Sequence, residues 1–153
     1  YYRLYTQHDM HCLLAAYSHM LNSHGSMKVY VASCATTGIE AVEAICRYFA
    51  ERGASKIVPK NTSSACKRVC MFLRWMVRTG SPVDLGLWAD IIDRRSLIMP
   101  LDTHVVQEAC KMGLLSSRTA SMATARRLTD AMLEVFPDDP LKGDFALFGL
   151  GVE

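Results

Sequence analysis

The stretch SACKRVCMFLRWMVR, residues 64–78, decides the fold class. Its apolar residues cover most of the circumference of a helix instead of alternating, which predicts a largely buried α-helix. At about 100° per residue, Lys67, Arg74 and Arg78 fall within about 40° of one another. A narrow cationic stripe on a buried helix needs either an anion or open solvent along it. The sequence leaves these two alternatives open.

Helical periodicity also extends through the first third of the chain. Residues 10–21 carry an apolar stripe at helical spacing, which Gly25 ends. Residues 37–40 have capping-box spacing ahead of a second apolar stripe that stops at Gly53. Residues 27–34 are ambiguous and fit either a strand or a helix.

The remainder of the chain predicts short helices joined by short turns. We expect a helix over 85–92, a turn capped by Asp93, a helix from Asp102 to Gly113, a helix from Thr119 to about Phe136, and a last helix opened by Asp139-Pro140. The fold class is therefore all-α, a compact array of about eight helices. Residues 1–153 form a single domain, large enough to bury roughly two-thirds of its unfolded surface.

Basic charge is concentrated in one part of the chain. The formal net charge is only +2. No acidic residue lies between Glu51 and Asp84, although seven lysines and arginines do. One-sided basic charge over about thirty residues is typical of a surface that binds a polyanion such as a nucleic acid. A solvated helix face is an equally good explanation.

Composition argues against several other classes of protein. No apolar run approaches the ~18–20 residues of a membrane span, and no secretory signal opens the chain. The six cysteines lie mostly in helical apolar stretches, which predicts buried thiols in a reducing cytoplasm. No second pair accompanies Cys66 and Cys70 at metal-site spacing, so no metal or cofactor is expected. Because the first residue is not methionine, we expect a C-terminal fragment of a longer protein.

Asp102 is predicted to be the N-cap of a helix. Such a side chain accepts a hydrogen bond from the backbone amide two or three residues further on, and that role is ordinarily structural. The same bond fixes the direction of the carboxylate and keeps it ionised. Both effects suit a carboxylate that stabilises a cationic intermediate. His104 is expected to form a local hydrogen bond beside it.

Lys67 lies in the first turn of the basic helix, next to Arg68. The positive end of the helix dipole and the neighbouring cation both disfavour the ammonium form of its side chain. A lysine that is neutral part of the time is a nucleophile. One flanking carboxylate would cancel this effect.

Residues 100–115, PLDTHVVQEACKMGLL, resemble the Val-Asp-Thr-His-Val/Ile segment of helix-hairpin-helix DNA glycosylases. The resemblance implies that Asp102 is catalytic. The chain is more closely similar to a bacterial family, domain of unknown function 2400, whose members are longer. The segments that carry this similarity are 64–68, 71–78, 82–88, 100–115 and 144–151.

The chain also resembles archaeal 8-oxoguanine DNA glycosylases. In these enzymes a lysine opens a helix with a second cation seven residues on, and a catalytic aspartate follows some thirty residues later. Lys67, Arg74 and Asp102 fit this order. The same enzymes hold the extruded base with an aspartate and an aromatic ring four residues apart, as Asp144 and Phe148 are.

These resemblances imply a DNA repair glycosylase, with AP lyase activity as a further expectation, that excises an oxidised purine such as 8-oxoguanine. Lys67 and Asp102 would be catalytic. The base-binding residues would be Asp144, Phe148, Met71 and Phe72. The DNA-binding residues would be Asn61, Ser63, Ser64, Arg68, Arg74, Arg78, Thr103 and His104. We expect a monomer at the nucleoid of the bacterial cytoplasm that binds damaged duplex DNA and no membrane.

The sequence departs from the broader superfamily in two places. Pro59–Ser64 stands where a Leu-Pro-Gly-Val-Gly hairpin is usual, which puts the mode of phosphate contact in doubt. The iron–sulfur cysteines of the endonuclease-III branch are absent. Two other classes of function remain open. They are a non-catalytic nucleic-acid-binding module and a helical protein-interaction domain.

Overall fold

The computed structural model of the chain describes residues 4–150. Within that range it contains seven α-helices and one short 3-10 helix, joined by turns and loops. No strand occurs within that range, so the all-α prediction is confirmed. The helices are α1 (Gln7–His24), α2 (Met27–Cys34), α3 (Gly38–Ala50), α4 (Lys67–Val77), α5 (Thr103–Lys111), α6 (Met122–Val135) and α7 (Lys142–Leu150), with the 3-10 helix at Arg94–Ser96. Gly151, the end of the matching segment 144–151, lies outside the described residues.

The first three helices form as their local sequences dictate. Thr6 and Thr37 close capping boxes at the starts of α1 and α3, and Gly25, with φ 77°, ends α1. The ambiguous segment 27–34 is helical, because the Ser26 side chain caps its first turn by accepting a bond from the Val29 amide.

Several predicted helix boundaries are wrong. The basic helix begins at Lys67 and not at Ser64, since Cys66 adopts a left-handed conformation with φ 48° just before it. Ser121, not Thr119, caps α6. Pro140 lies in a turn, and α7 begins two residues later. In each case a turn holds residues that the sequence pattern would assign to the helix.

The predicted helix over 85–92 is also wrong, because several amides in its first half donate to carbonyls outside the segment. The amides of Leu85 and Trp88 donate to the carbonyls of Trp75 and Met76, each at 2.7 Å. These carbonyls lie in the last turn of α4 and have no acceptor role within that helix. The segment therefore caps α4 as a series of turns.

One hydrophobic core runs through the described range, from Ala16 of α1 to Leu147 of α7, and α3 and α4 both contribute to it. Val42, Ile45 and Phe49 of α3 and Leu73 of α4 are almost fully buried, each contributing about 1.5–3 kcal/mol to folding. Elsewhere, α5 packs against α7. Arg74 of α4 is ion-paired with Asp144 of α7, and Lys67 of α4 is ion-paired with Asp102 at the start of α5. The N-terminal turns of α4 and α5 therefore lie side by side.

Among the described residues, no single helix is long and apolar enough to cross a membrane. The pair α2 and α3, bent by 119° at their junction, meets the length and composition criteria when the two are taken together. All six cysteines are free thiols. Three of them, Cys46, Cys66 and Cys70, are buried as expected, whereas Cys34 is exposed.

Gly38→Ala is expected to destabilise the protein by about 1–3 kcal/mol. A Cβ at Gly38 would collide with the backbone carbonyl oxygen of Ser96 and lie 2.9 Å from the Cα of Leu97, and neither atom can move alone. Urea denaturation would measure the loss. Gly149→Ala is the matched control, because nothing lies within 4 Å of its added Cβ. The control should be neutral or up to about 1 kcal/mol more stable. Equal midpoints for both variants would contradict the close packing at Gly38.

Candidate functional site

A cleft of about 200 Å³ opens between α4, the first turn of α5 and α7. It is smaller than the usual ~300–1,000 Å³ of a drug-sized ligand pocket and suits one small planar group. Six of the residues singled out in the sequence line it together. They are Lys67, Met71, Arg74, Asp102, Asp144 and Phe148.

Lys67 and Asp102 form an ion pair at the mouth of the cleft. Lys67 Nζ lies 2.8 Å from Asp102 Oδ2. The other oxygen, Oδ1, accepts a hydrogen bond from the Val105 amide at 2.8 Å, which confirms the predicted N-cap. The capping bond and the ion pair use different oxygens, so both hold at once. The carboxylate is thereby fixed in direction.

The environment of Asp102 favours its ionised form. Burial alone would raise the pKa of this carboxyl group. The hydrogen bonds from Lys67 and the Val105 amide, together with the positive charge of Lys67, outweigh burial and lower the pKa below its usual value. The sequence left open whether a carboxylate lies beside Lys67, and Asp102 is that carboxylate. As a nucleophile, Lys67 would first have to pass on a proton.

Behind this pair lies a buried network of five charged side chains. Arg78 contacts Asp84 at 2.6 Å and Asp139 at 2.9 Å. Arg74 Nε is 3.5 Å from Asp84 Oδ1, and Arg74 Nη1 donates to Asp144. These five side chains are at most 7% exposed. The network runs from the turn before α7, through α4 and the following loop, into the cleft.

This network corrects the DNA-binding role predicted for Arg74 and Arg78. The cationic stripe meets neither solvent nor an external anion at these two positions, because carboxylates of the protein itself cover it. A buried guanidinium held between two carboxylates has no face free for a DNA phosphate. Lys67, whose side chain is 45% exposed, is the part of the stripe that reaches solvent.

The predicted base-binding residues divide between two sides of α4. Phe148 is 53% exposed at the cleft, and Met71 lines it. Phe72 is on the other side, packed edge-on against Trp88 with ring centroids 5.2 Å apart. It lines a separate apolar groove of about 450 Å³ between α1, α3 and α4. The structure therefore does not bring Phe72 to the cleft that Met71 and Phe148 line, since α4 itself separates the two cavities.

The other predicted DNA-binding residues are exposed around the N-terminal turns of α4 and α5. Asn61 forms a local turn in which its side chain accepts a bond from the Ser63 amide at 3.0 Å. Arg68 is an exposed residue whose Nη1 donates to the Ile57 carbonyl at 3.1 Å, and its guanidinium carbon lies 5.6 Å from the centre of the Tyr5 ring. The remaining exposed residues of this set are Ser64, Thr103 and His104.

Comparison with known families supports part of the resemblance. The model of the family described as protein of unknown function (DUF2400) matches residues 1–153, the whole chain. The chain belongs to the DUF2400 family. No curated protein and no solved structure matches it. The likeness to DNA glycosylases stays a prediction.

In this DUF2400 chain, three site residues escaped sequence analysis. Phe145 lines the cleft with its ring 4.0 Å from the Arg74 guanidinium carbon, a cation–π contact. Phe145 follows Asp144 directly in the sequence, and this position could have identified it as a site residue. Asp84 lies in the family-matching segment 82–88 and Asp139 precedes Pro140, but no site role was predicted for either; both join the site because the loops that contain them fold back onto α4.

Proposed function

We propose that this chain carries the catalytic site of a DNA glycosylase with AP lyase activity, acting on an oxidised purine such as 8-oxoguanine. The observation that carries the proposal is the Lys67–Asp102 pair, 2.8 Å apart, at a cleft that Asp144 and Phe148 also line. A nucleophile, a carboxylate, a polar group and an aromatic ring are what base excision by a lysine enzyme requires. The resemblance of residues 100–115 to glycosylases, and the order of Lys67, Arg74 and Asp102, support the same function.

The chemistry begins when a damaged base is flipped from the duplex into the cleft. As the N-glycosidic bond breaks, positive charge develops at the sugar C1′, and the ionised Asp102 stabilises it. Lys67 loses a proton, by way of Asp102, to the departing base. Its Nζ then bonds to C1′ while the bonding electrons leave with the base. The C1′–O4′ bond then breaks as a proton moves from Nζ to O4′, which opens the sugar ring and leaves a protonated Schiff base between Nζ and C1′. Loss of a proton from C2′ then expels the 3′ phosphate, which cuts the strand.

The flipped base would contact residues inside the cleft, and the DNA backbone would contact residues around its rim. Phe148 offers a half-exposed ring for stacking on the base, and Asp144 offers a carboxylate to hydrogen-bond donors on a purine edge. The exposed N-terminal turns of α4 and α5 offer backbone amides for phosphates. Exposed polar side chains beside these turns add further contacts. They are Asn61, Ser63, Ser64, Arg68, Thr103 and His104.

A second candidate function is a non-catalytic nucleic-acid-binding module. The exposed polar side chains around two helix N-termini favour it as much as they favour the enzyme. The Lys67–Asp102 pair has no task in such a module, so the enzyme accounts for more of the structure.

The test uses the full chain with duplexes that contain 8-oxoguanine, an abasic site or no lesion. We expect base release from the first, a borohydride-trapped adduct with the first two, and affinity that falls steeply with salt. Binding without release or adduct on a panel of lesions would favour the non-catalytic module. Negligible affinity at low salt would instead favour a helical protein-interaction domain.

A further inference from the structure

The buried ion network holds more negative than positive charge. Its three carboxylates, Asp84, Asp139 and Asp144, share the two guanidinium groups of Arg74 and Arg78. Their formal sum is therefore one negative charge, at side chains with 0–7% exposure. An uncompensated buried charge is costly, so each carboxylate depends on the guanidinium that it faces.

Arg74 is held unequally by its two carboxylate partners. Its Nη1 donates a hydrogen bond to Asp144, which lines the cleft. Its Nε and the Asp84 Oδ1 face each other at 3.5 Å without forming a hydrogen bond. Within the described residues these are the two buried side-chain polar atoms that lack a hydrogen-bond partner. At 3.5 Å this contact is longer than the ~2.9 Å of a hydrogen bond, so a shift of Arg74 toward Asp84 by less than 1 Å is enough to close it.

We propose that Asp84, which does not line the cleft, is a positioning residue. Through Arg74 it sets the charge that Asp144 presents to a bound base. When donors on a base engage Asp144, Arg74 moves toward Asp84 and completes the missing hydrogen bond. This inference rests on the proposed glycosylase function and adds to it the residue that tunes base recognition.

The charges around Asp144 give the direction of the effect. Burial raises the pKa of the Asp144 carboxyl group; Arg74 opposes this rise, and the negative charge of Asp102 adds to it. Lys67 and Arg78, which face Asp144 from α4, also lower its pKa. The sum of all these effects is a raised pKa. Asp84 shares Arg74 with Asp144, so removing the negative charge of Asp84 leaves the guanidinium to Asp144, and the pKa of Asp144 should fall.

The test compares Asp84→Asn with Asp139→Asn. Both variants neutralise a buried carboxylate of the network, but only Asp84 contacts Arg74. Release of 8-oxoguanine needs the ionised Asp144, so its rate falls on the acid side of the pH profile. For Asp84→Asn this acid limb should move to lower pH by about one unit. For Asp139→Asn it should move by less than half as much. Trapping at an abasic site, which does not use Asp144, should keep its pH profile.

Two further measurements keep the inference falsifiable if Asp84→Asn folds poorly. Asp84→Glu retains the charge and should keep the acid limb of the unmodified protein. A carboxyl ¹³C titration of the unmodified chain should place Asp144 above the ordinary aspartate range. Equal profiles for Asp84→Asn and Asp139→Asn, or an ordinary Asp144 titration, would overturn the role of Asp84. Absence of trapping by the unmodified protein would overturn the proposed function itself.

Discussion

Lys67→Ala is expected to lower the rate of covalent trapping on an abasic duplex by at least about 10³-fold. The variant lacks the amine that forms the Schiff base. Duplex affinity should change little, because other exposed groups at the ends of α4 and α5 remain. Stability should fall by no more than about 1 kcal/mol, since Lys67 is 45% exposed and surface ion pairs contribute little. Borohydride trapping and a binding titration measure the two effects.

Two control variants sharpen this experiment. Lys67→Arg keeps the positive charge beside Asp102 but not the nucleophile, because a guanidinium does not lose its proton in proteins. It should bind DNA and form no adduct. Lys111→Ala removes another exposed lysine that is paired with a carboxylate, Glu108, at 2.6 Å, and should trap normally. An undiminished adduct with Lys67→Ala would identify a different amine as the nucleophile.

Asp102→Asn is expected to slow release of 8-oxoguanine by about 10²–10³-fold while leaving the fold intact. Asparagine caps a helix about as well as aspartate, so its side-chain oxygen can still accept the bond from the Val105 amide. What it loses is the negative charge beside C1′ and the proton acceptor for Lys67. Single-turnover release and urea denaturation separate these properties.

Asp102→Ala completes the comparison, because it removes both the cap and the charge. Its release rate should be as low as that of Asp102→Asn, with an additional loss of about 1 kcal/mol in the free energy of unfolding. A full release rate in Asp102→Asn, with a stability loss in Asp102→Ala alone, would show that Asp102 is only a structural cap.

The errors in predicting the fold have a common physical origin. Residues 85–92 have a sequence compatible with a helix, yet the amides of Leu85, Gly86 and Trp88 bond to the end of α4, outside the segment. Phe72 and Met71 are adjacent in sequence, but their side chains enter different cavities on either side of α4. Periodicity describes one helix at a time. It does not say which neighbour each face will meet.

The candidate site shows the same division. The sequence alone determined the features that depend on neighbours within about four residues. These are the helical class, the Asp102 cap and the placement of Asp144 and Phe148 one turn apart. Only the tertiary structure brought Lys67 Nζ within 2.8 Å of Asp102, 35 residues away. Tertiary packing also placed Asp84 and Asp144 beside Arg74. Such contacts depend on how loops return α5 and α7 to α4, because side chains distant in sequence meet only when whole helices pack.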